Sequence, residues 1–166
     1  MILICDTREQ KMLDFSGIEG IEKVEEMALS FGDYTAFVHE CPVPVVVERK
    51  GLGDLFGTMT SGYSRFRKEM ERAKVSNMKL IIAVEGTYSD VWNGTEHSQF
   101  SGESMVKKLA MLQVRYDIET WFCENRRVMA RRICDLFSAV ERNWVKDSSL
   151  KTGFKESSNA VNRTNV

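Results

Sequence analysis

The chain is poor in several things at once. Of its 166 residues two are proline and two histidine, and no apolar run approaches the length of a membrane-crossing helix. His39 and His97 lie far apart, and Cys5, Cys41, Cys123 and Cys134 show no paired ligand spacing, so zinc is disfavoured. The cysteines fall mostly inside apolar segments and read as reduced core thiols of an intracellular protein. No charge dominates either: 23 basic against 24 acidic residues leave a net charge of −1. A global positive field for nucleic acid is thereby excluded, and any such attraction must come from local patches. With no signal-peptide pattern at the start, the expected setting is soluble and cytoplasmic, or nuclear in a host with a nucleus. The length suits one domain with a sizeable core.

What the chain does have is charge at the ends of apolar segments. In Val45-Val46-Val47-Glu48-Arg49-Lys50 the β-branched run predicts a core strand, whose alternation puts Glu48 and Lys50 on one face and Arg49 on the other. Carboxylate and ammonium on an inner strand face are costly unless they meet a partner, a metal or a phosphate. The bland alternative is a solvated charge run where the strand leaves the sheet. Neighbouring acids favour a site. Ile2-Leu3-Ile4-Cys5 delivers Asp6 to a strand end, Gly32 precedes Asp33 fifteen residues ahead of Glu48, and Asp54 lies four beyond Lys50. Such hard oxygen ligands suit Mg²⁺ or Mn²⁺.

Asp6-Thr7-Arg8-Glu9, Gly32-Asp33-Tyr34 and Glu48-Arg49-Lys50-Gly51-Leu52-Gly53-Asp54 together resemble the signature of XPF/Mus-type structure-specific endonucleases, a GD followed by ERKxxxD. The segment from Asp54 to Phe66 is similar to that family's helix and glycine–arginine turn, with Tyr63-Ser64 intervening between Gly62 and Arg65. Leu80 to Gly86 resembles its next strand, and the likeness covers about residues 1–145. It implies a three-layer, restriction-endonuclease-like α/β core, a central mixed sheet flanked by helices, over residues 1–146. It also implies metal-dependent hydrolysis of DNA phosphodiesters, at branched or flap-like structures. Asp33 and Glu48, with Asp6, would hold one or two Mg²⁺ or Mn²⁺ ions, joined by the Arg49 carbonyl. Lys50 would orient the water or offset developing charge, Glu9, Arg49 and Asp54 would support these groups, and Arg8 and Arg65 would position phosphate. Pairing of two nuclease domains, as homodimer or heterodimer, is implied too, with Phe137 and Trp144 as interface candidates. Many relatives carry a tandem helix-hairpin-helix module for which no room remains here, so a partner, a second subunit or the domain itself would select the DNA. Two other readings are a catalytically silent DNA-binding or scaffolding subunit, and another PD-(D/E)xK enzyme such as a Holliday-junction resolvase.

The remaining segments sort by period and composition. Residues 10–20 read as a loop or short helix, and Glu25 to Leu29 favours helix locally although the resemblance implies a strand running into Gly32-Asp33. Residues 34–38 and 43–49 predict a hairpin. Phe66, Met70 and Ala73 mark the buried face of a helix over 62–75, whose opposite face bears Arg65, Lys68 and Arg72 as DNA-phosphate candidates. Residues 87–102 read as a long loop, with Trp92 expected to pack that loop onto the core. Met105, Leu109, Leu112 and Tyr116 mark a helix, Ile118 to Phe122 a last strand, and 125–145 a last helix. Arg126, Arg127, Arg131 and Arg132 cluster at the start of that helix, against its dipole, and call for an anionic partner, either DNA or nearby acids. Residues 147–166, rich in Ser, Asn, Thr and Lys, are expected to form a disordered tail.

Overall fold

A computed structural model describes residues 1–96 and 98–146, without the side chains of 144–146. Its elements run β1 (Ile2–Asp6), β2 (Lys23–Met27), β3 (Tyr34–Val38), β4 (Cys41–Pro42), β5 (Val45–Gly51), α1 (Leu52–Met59), α2 (Tyr63–Val75), β6 (Lys79–Glu85), α3 (Tyr88–Asn93), α4 (Gly102–Tyr116), β7 (Glu119–Cys123) and α5 (Arg126–Lys146). The expected tail at 147–166, and Trp144 as an interface residue, lie outside what is described. Among the described residues, no helix is long and apolar enough to cross a membrane.

One mixed sheet has the order β2-β1-β3-β5-β6-β7, with β4 paired to β3. Strand β3 runs antiparallel to both β1 and β5, whereas β5, β6 and β7 are mutually parallel. Parallel neighbours need long crossovers, and α1–α2 and α3–α4 supply them. A consequence follows for the site. The C-terminal ends of β1, β5, β6 and β7 all emerge at one sheet edge, where β3 begins, so Asp6, Asp33, the end of β5 and Glu85 are gathered there by topology alone.

Alternation along the strands builds two cores. Val45, Val47, Ile81, Ala83 and Trp121 face one layer, made by α5 (Met129, Ile133, Phe137) and the irregular segment carrying Leu13, Phe15 and Ile18. Val46, Leu80, Ile82 and Val84 face the other, made by α1, α2 and α4. Central strands β5 and β6 are buried on both faces, which explains their near-continuous apolar character. Between the two helical layers the sheet completes the expected three-layer architecture. The cysteines are free, with Cys5, Cys123 and Cys134 buried.

Two segments and two side chains depart from expectation. The Lys23–Met27 segment is an exposed edge strand despite its helical composition, because its backbone pairs in register with β1. It stops at Met27 rather than running into Gly32-Asp33. Within 87–102, residues Tyr88–Asn93 form a helix whose Thr87 hydroxyl accepts from Asp90 N at 3.1 Å while Asp90 accepts from Thr87 N at 2.7 Å. This is a capping box built with Asp where Glu or Gln is usual, hence easily overlooked. Trp92, expected to pack down onto the core, is 49% exposed and stacks on Tyr88. Phe137, an interface candidate, is fully buried in the core.

Gly32 sets the approach to the site. Its φ is +71°, and a Cβ there would lie 2.3 Å from Val46 Cγ2. Both the left-handed backbone and the closeness of β5 require glycine. A Gly32→Ala variant is expected to lose about 2–4 kcal/mol of stability, the sum of a left-handed penalty and local overpacking, measured by urea denaturation.

Candidate active site

The ends of β1 and β5 and the start of β3 are laced together by backbone bonds. Asp6 N donates to Asp33 O at 2.8 Å, and Asp33 N donates to Val47 O at 2.8 Å. The Asp33 carboxylate in turn accepts from the backbone N–H of Arg49 at 2.7 Å. Glu48, 7% exposed, points to the same face as Lys50, whose ammonium donates to it and sits 5.9 Å from the Phe66 ring. Burial, then the nearby Glu48 charge, pushes Asp33 up to about 7. Two carboxylates are thus crowded at the floor of a cleft with one ammonium beside them. The cleft consists of two adjoining hollows of about 680 and 660 Å³ that share Arg8, Glu9, Asp33, Glu48, Arg49, Asp54 and Arg65.

Arg49 points to the opposite face, as alternation requires, and is 8% exposed. Its guanidinium forks onto Glu9, Nε at 2.8 Å and Nη2 at 2.9 Å, and donates through Nη1 to Glu85 at 3.0 Å. Burial opposes the charge on Glu9, yet the hydrogen bonds from Arg49 and the Lys11 N–H, with the charges of Arg49 and Arg126, together hold the carboxyl below the usual range. Glu85 also accepts from Arg126. Glu9 and Arg49 thus brace each other on the face turned away from Glu48 and Lys50. Glu85 and Arg126 join them there, and that Glu85 is the anion Arg126 calls for has no local signature, since the pairing spans β6 and α5.

Asp6 behaves differently from Asp33 and Glu48. Its carboxylate accepts four hydrogen bonds, from Arg8 N, Nε and Nη2 and from Leu29 N, at 2.7 to 2.8 Å. Burial works against its charge, but these donors prevail and lower its pKa. Asp6 lines the cleft as the anchor of Arg8 and of the 28–31 segment. Arg8, which also donates to Leu29 O, stays largely exposed over it. Asp54 stands exposed in the first turn of α1, and Arg65 exposed at the start of α2, both on the cleft wall. Lys68 and Arg72 are exposed on α2 but do not line the cleft; Glu69, between them on the same helix, does. Burial and then the Glu48 charge raise the Glu69 pKa.

The arginines of α5 find partners within the chain. Arg126 meets Glu85, Arg127 donates to Ser16 O at 3.0 Å, Arg131 pairs with Asp135 at 3.1 Å, and Arg132 lies 4.3 Å from the Trp121 ring. Of the two partners expected for this cluster, the structure supplies the internal one.

Among the described residues, no group of three or more His, Cys, Asp or Glu side chains is gathered to hold a metal ion. The donor set at the cleft floor is instead two carboxylates, Asp33 and Glu48, next to the Arg49 backbone. Two hard, buried and mutually repelling oxygen ligands fit one small divalent cation, which would offset both the burial and the repulsion that raise Asp33.

A mixed sheet between helical layers, with acid, acid and lysine where β3 and β5 meet, defines a three-layer α/β domain. The ERCC4 domain model matches residues 5–136, and the chain belongs to this nuclease family. Among solved structures it is similar to XPF from Aeropyrum pernix, with 24% identity and a TM-score of 0.62 over 86% of this chain and 69% of that one. It is also similar to XPF from Aeropyrum pernix in complex with DNA, with 22% identity and a TM-score of 0.58 over 87% of this chain and 65% of that one. No curated protein sequence matches.

Removing the guanidinium while keeping its bulk would leave Glu9 and Glu85 facing each other without a shared cation. Arg49→Met is expected to cost about 3–5 kcal/mol, as measured by urea denaturation against wild type.

Proposed function

We propose that the chain is a divalent-metal-dependent endonuclease that hydrolyses phosphodiester bonds in DNA, at branched or flap-like structures. The observation carrying this reading is the crowding of Asp33 against Glu48, with Lys50 on the same face, at the floor of an open cleft. Mg²⁺ or Mn²⁺ would be held by Asp33 and Glu48, with the Arg49 carbonyl as a further oxygen. When bound, such an ion acidifies a coordinated water and offsets charge on the scissile phosphate.

The chain's own residues do the rest. Lys50, held by Glu48, keeps further N–H groups to hydrogen-bond a water or a phosphate oxygen, and a compact ammonium suits either task. Arg8 and Arg65 present guanidinium groups on the cleft wall, where they can fix the phosphates flanking the cleaved bond. Lys68 and Arg72, further along α2, would take phosphates of a DNA arm leaving the cleft. Asp6 keeps Arg8 in place, and Asp54 closes the wall at the start of α1. Support for DNA as substrate comes from membership in the ERCC4 family and from likeness to an XPF structure that is itself a DNA complex.

The test is a panel of labelled linear duplex, flap, fork and four-way junction DNAs incubated with Mg²⁺ or Mn²⁺. Wild type should cut a branched substrate, chelation should stop it, and Asp33→Ala and Glu48→Ala should abolish cleavage while remaining folded. Lys50→Ala should slow the reaction by about 10²–10³-fold, the usual cost of removing one group that stabilises transition-state charge. Unchanged metal-dependent cleavage by Asp33→Ala protein would sink the assignment. Stoichiometric DNA binding without cleavage would favour the silent-subunit reading.

A further inference from the structure

Glu85 ends β6 on the face opposite the cleft chemistry and accepts from two guanidinium groups, Arg49 and Arg126. Arg126 is the first residue of α5, 41 positions from Glu85 in the chain. Its Nη2 also donates to the carbonyls of Lys11 and Met12, the latter at 2.9 Å. Lys11 lines the cleft, two residues after the Glu9 that grips Arg49. A single side chain thus ties α5, the end of β6 and the cleft wall to one another. An arginine in the first turn of a helix opposes the helix dipole, so local helix energetics do not explain it. One of its three bonds goes to Lys11, which lines the cleft, and another to the Glu85 that pairs with Arg49.

We infer that Arg126, acting through Glu85, is a positioning residue for the catalytic end of β5. The sequence of contacts is explicit. Arg126 fixes Glu85, Glu85 with Glu9 fixes the Arg49 guanidinium, and the backbone N–H of Arg49 holds the Asp33 carboxylate. Asp33 is a proposed ion ligand, so the inference rests on the nuclease reading. Partners at this remove from a ligand commonly govern metal affinity and turnover rather than substrate affinity. Arg126 contributes no bond to DNA in this scheme; its effect passes through the orientation of Asp33 and Glu48.

The decisive comparison uses the full chain as wild type, Glu48→Ala, Arg126→Ala, Arg126→Lys and Arg127→Ala. Arg127 bonds the same loop through Ser16 but not Glu85, and so controls for loosening of that loop. Mn²⁺ binding is measured by calorimetry, cleavage by kcat and KM on a branched DNA, and folding by thermal midpoint. Arg126→Ala should lose about 10-fold in both Mn²⁺ affinity and kcat with KM for DNA unchanged, the lower end of the range for residues behind a ligand. Arg126→Lys, which keeps a cation but not the fork, should fall between, and it carries the comparison where the alanine variant does not fold. Arg127→Ala should match wild type in affinity and kcat. The inference is overturned where Arg126 variants match Arg127→Ala in both quantities, or where the whole loss lies in KM. Wild type that binds Mn²⁺ in a Glu48-dependent way but cleaves nothing overturns the nuclease reading alone, and the Mn²⁺ affinities then decide the role of Arg126. Absence of Glu48-dependent binding in wild type overturns both.

Discussion

A buried guanidinium holds this structure's working edge together. Arg49 is taken almost wholly out of water, a cost that only close, well-oriented carboxylates offset, and it has two of them, Glu9 from the segment after β1 and Glu85 from β6. An ammonium at the same place would be a single point charge and could not fork onto Glu9 while reaching Glu85. The arrangement also fixes the backbone of residue 49, whose N–H is the donor that Asp33 accepts. Together with the backbone bonds that lace these strand ends, this brace keeps the acids from drifting apart under their own repulsion.

The pleat of β5 divides the labour between the faces of the sheet. Glu48 and Lys50 lie toward α1 and α2, where an open cleft meets solvent, and Arg49 lies toward α5 and the segment following β1, where the ion pairs are shielded. Every side chain of the motif is therefore assigned a face by its position alone, and a one-residue slip in register would send the brace into solvent and the acids into the core. Register is secured by the seven-residue parallel ladder between β5 and β6 and by Gly32, which lets the chain pass within contact of Val46 before Asp33. The motif glycine and the motif arginine thus serve one end, keeping Asp33 and Glu48 in a fixed relation.

The parts of this site that follow a short period were legible in the sequence. The strand ending in Glu48-Arg49-Lys50, the facing of its three charges and the buried stripe Phe66, Met70 and Ala73 depend only on local alternation and helical spacing. What the sequence did not disclose are relations between distant segments. Glu85 and Arg126 meet across 41 residues, and Asp6 proves to be saturated by Arg8 and Leu29 N–H, because the 28–31 segment folds back over the end of β1. Lys68 and Arg72 share a helical face with Arg65, yet from α2 only Arg65 and Glu69 line the cleft. The edge strand at 23–27 was obscured for the converse reason: its residues prefer helix, and the free N–H and C=O row of β1 prevailed. Composition misled about Trp92 as well, since a polar, glycine-containing stretch concealed a capped turn of helix that holds the ring half in solvent.

Charge accounting explains how a chain with a net charge of −1 can still offer DNA a favourable cleft under the proposed function. The acids at the edge are not equivalent. Asp6, Glu9 and Glu85 are each matched by an arginine within hydrogen-bond distance, and at the range of a phosphate such pairs contribute little field. Glu48 shares the single ammonium of Lys50, and Asp33 has only the Arg49 N–H and its more distant cations. At the cleft floor the poorly matched negative charge is therefore that of Asp33 and Glu48, where a divalent cation fits, while Arg65, Lys68 and Arg72 stand exposed along α2 toward solvent. Internal pairing, rather than a basic composition, is what leaves those cations to act on an anionic backbone.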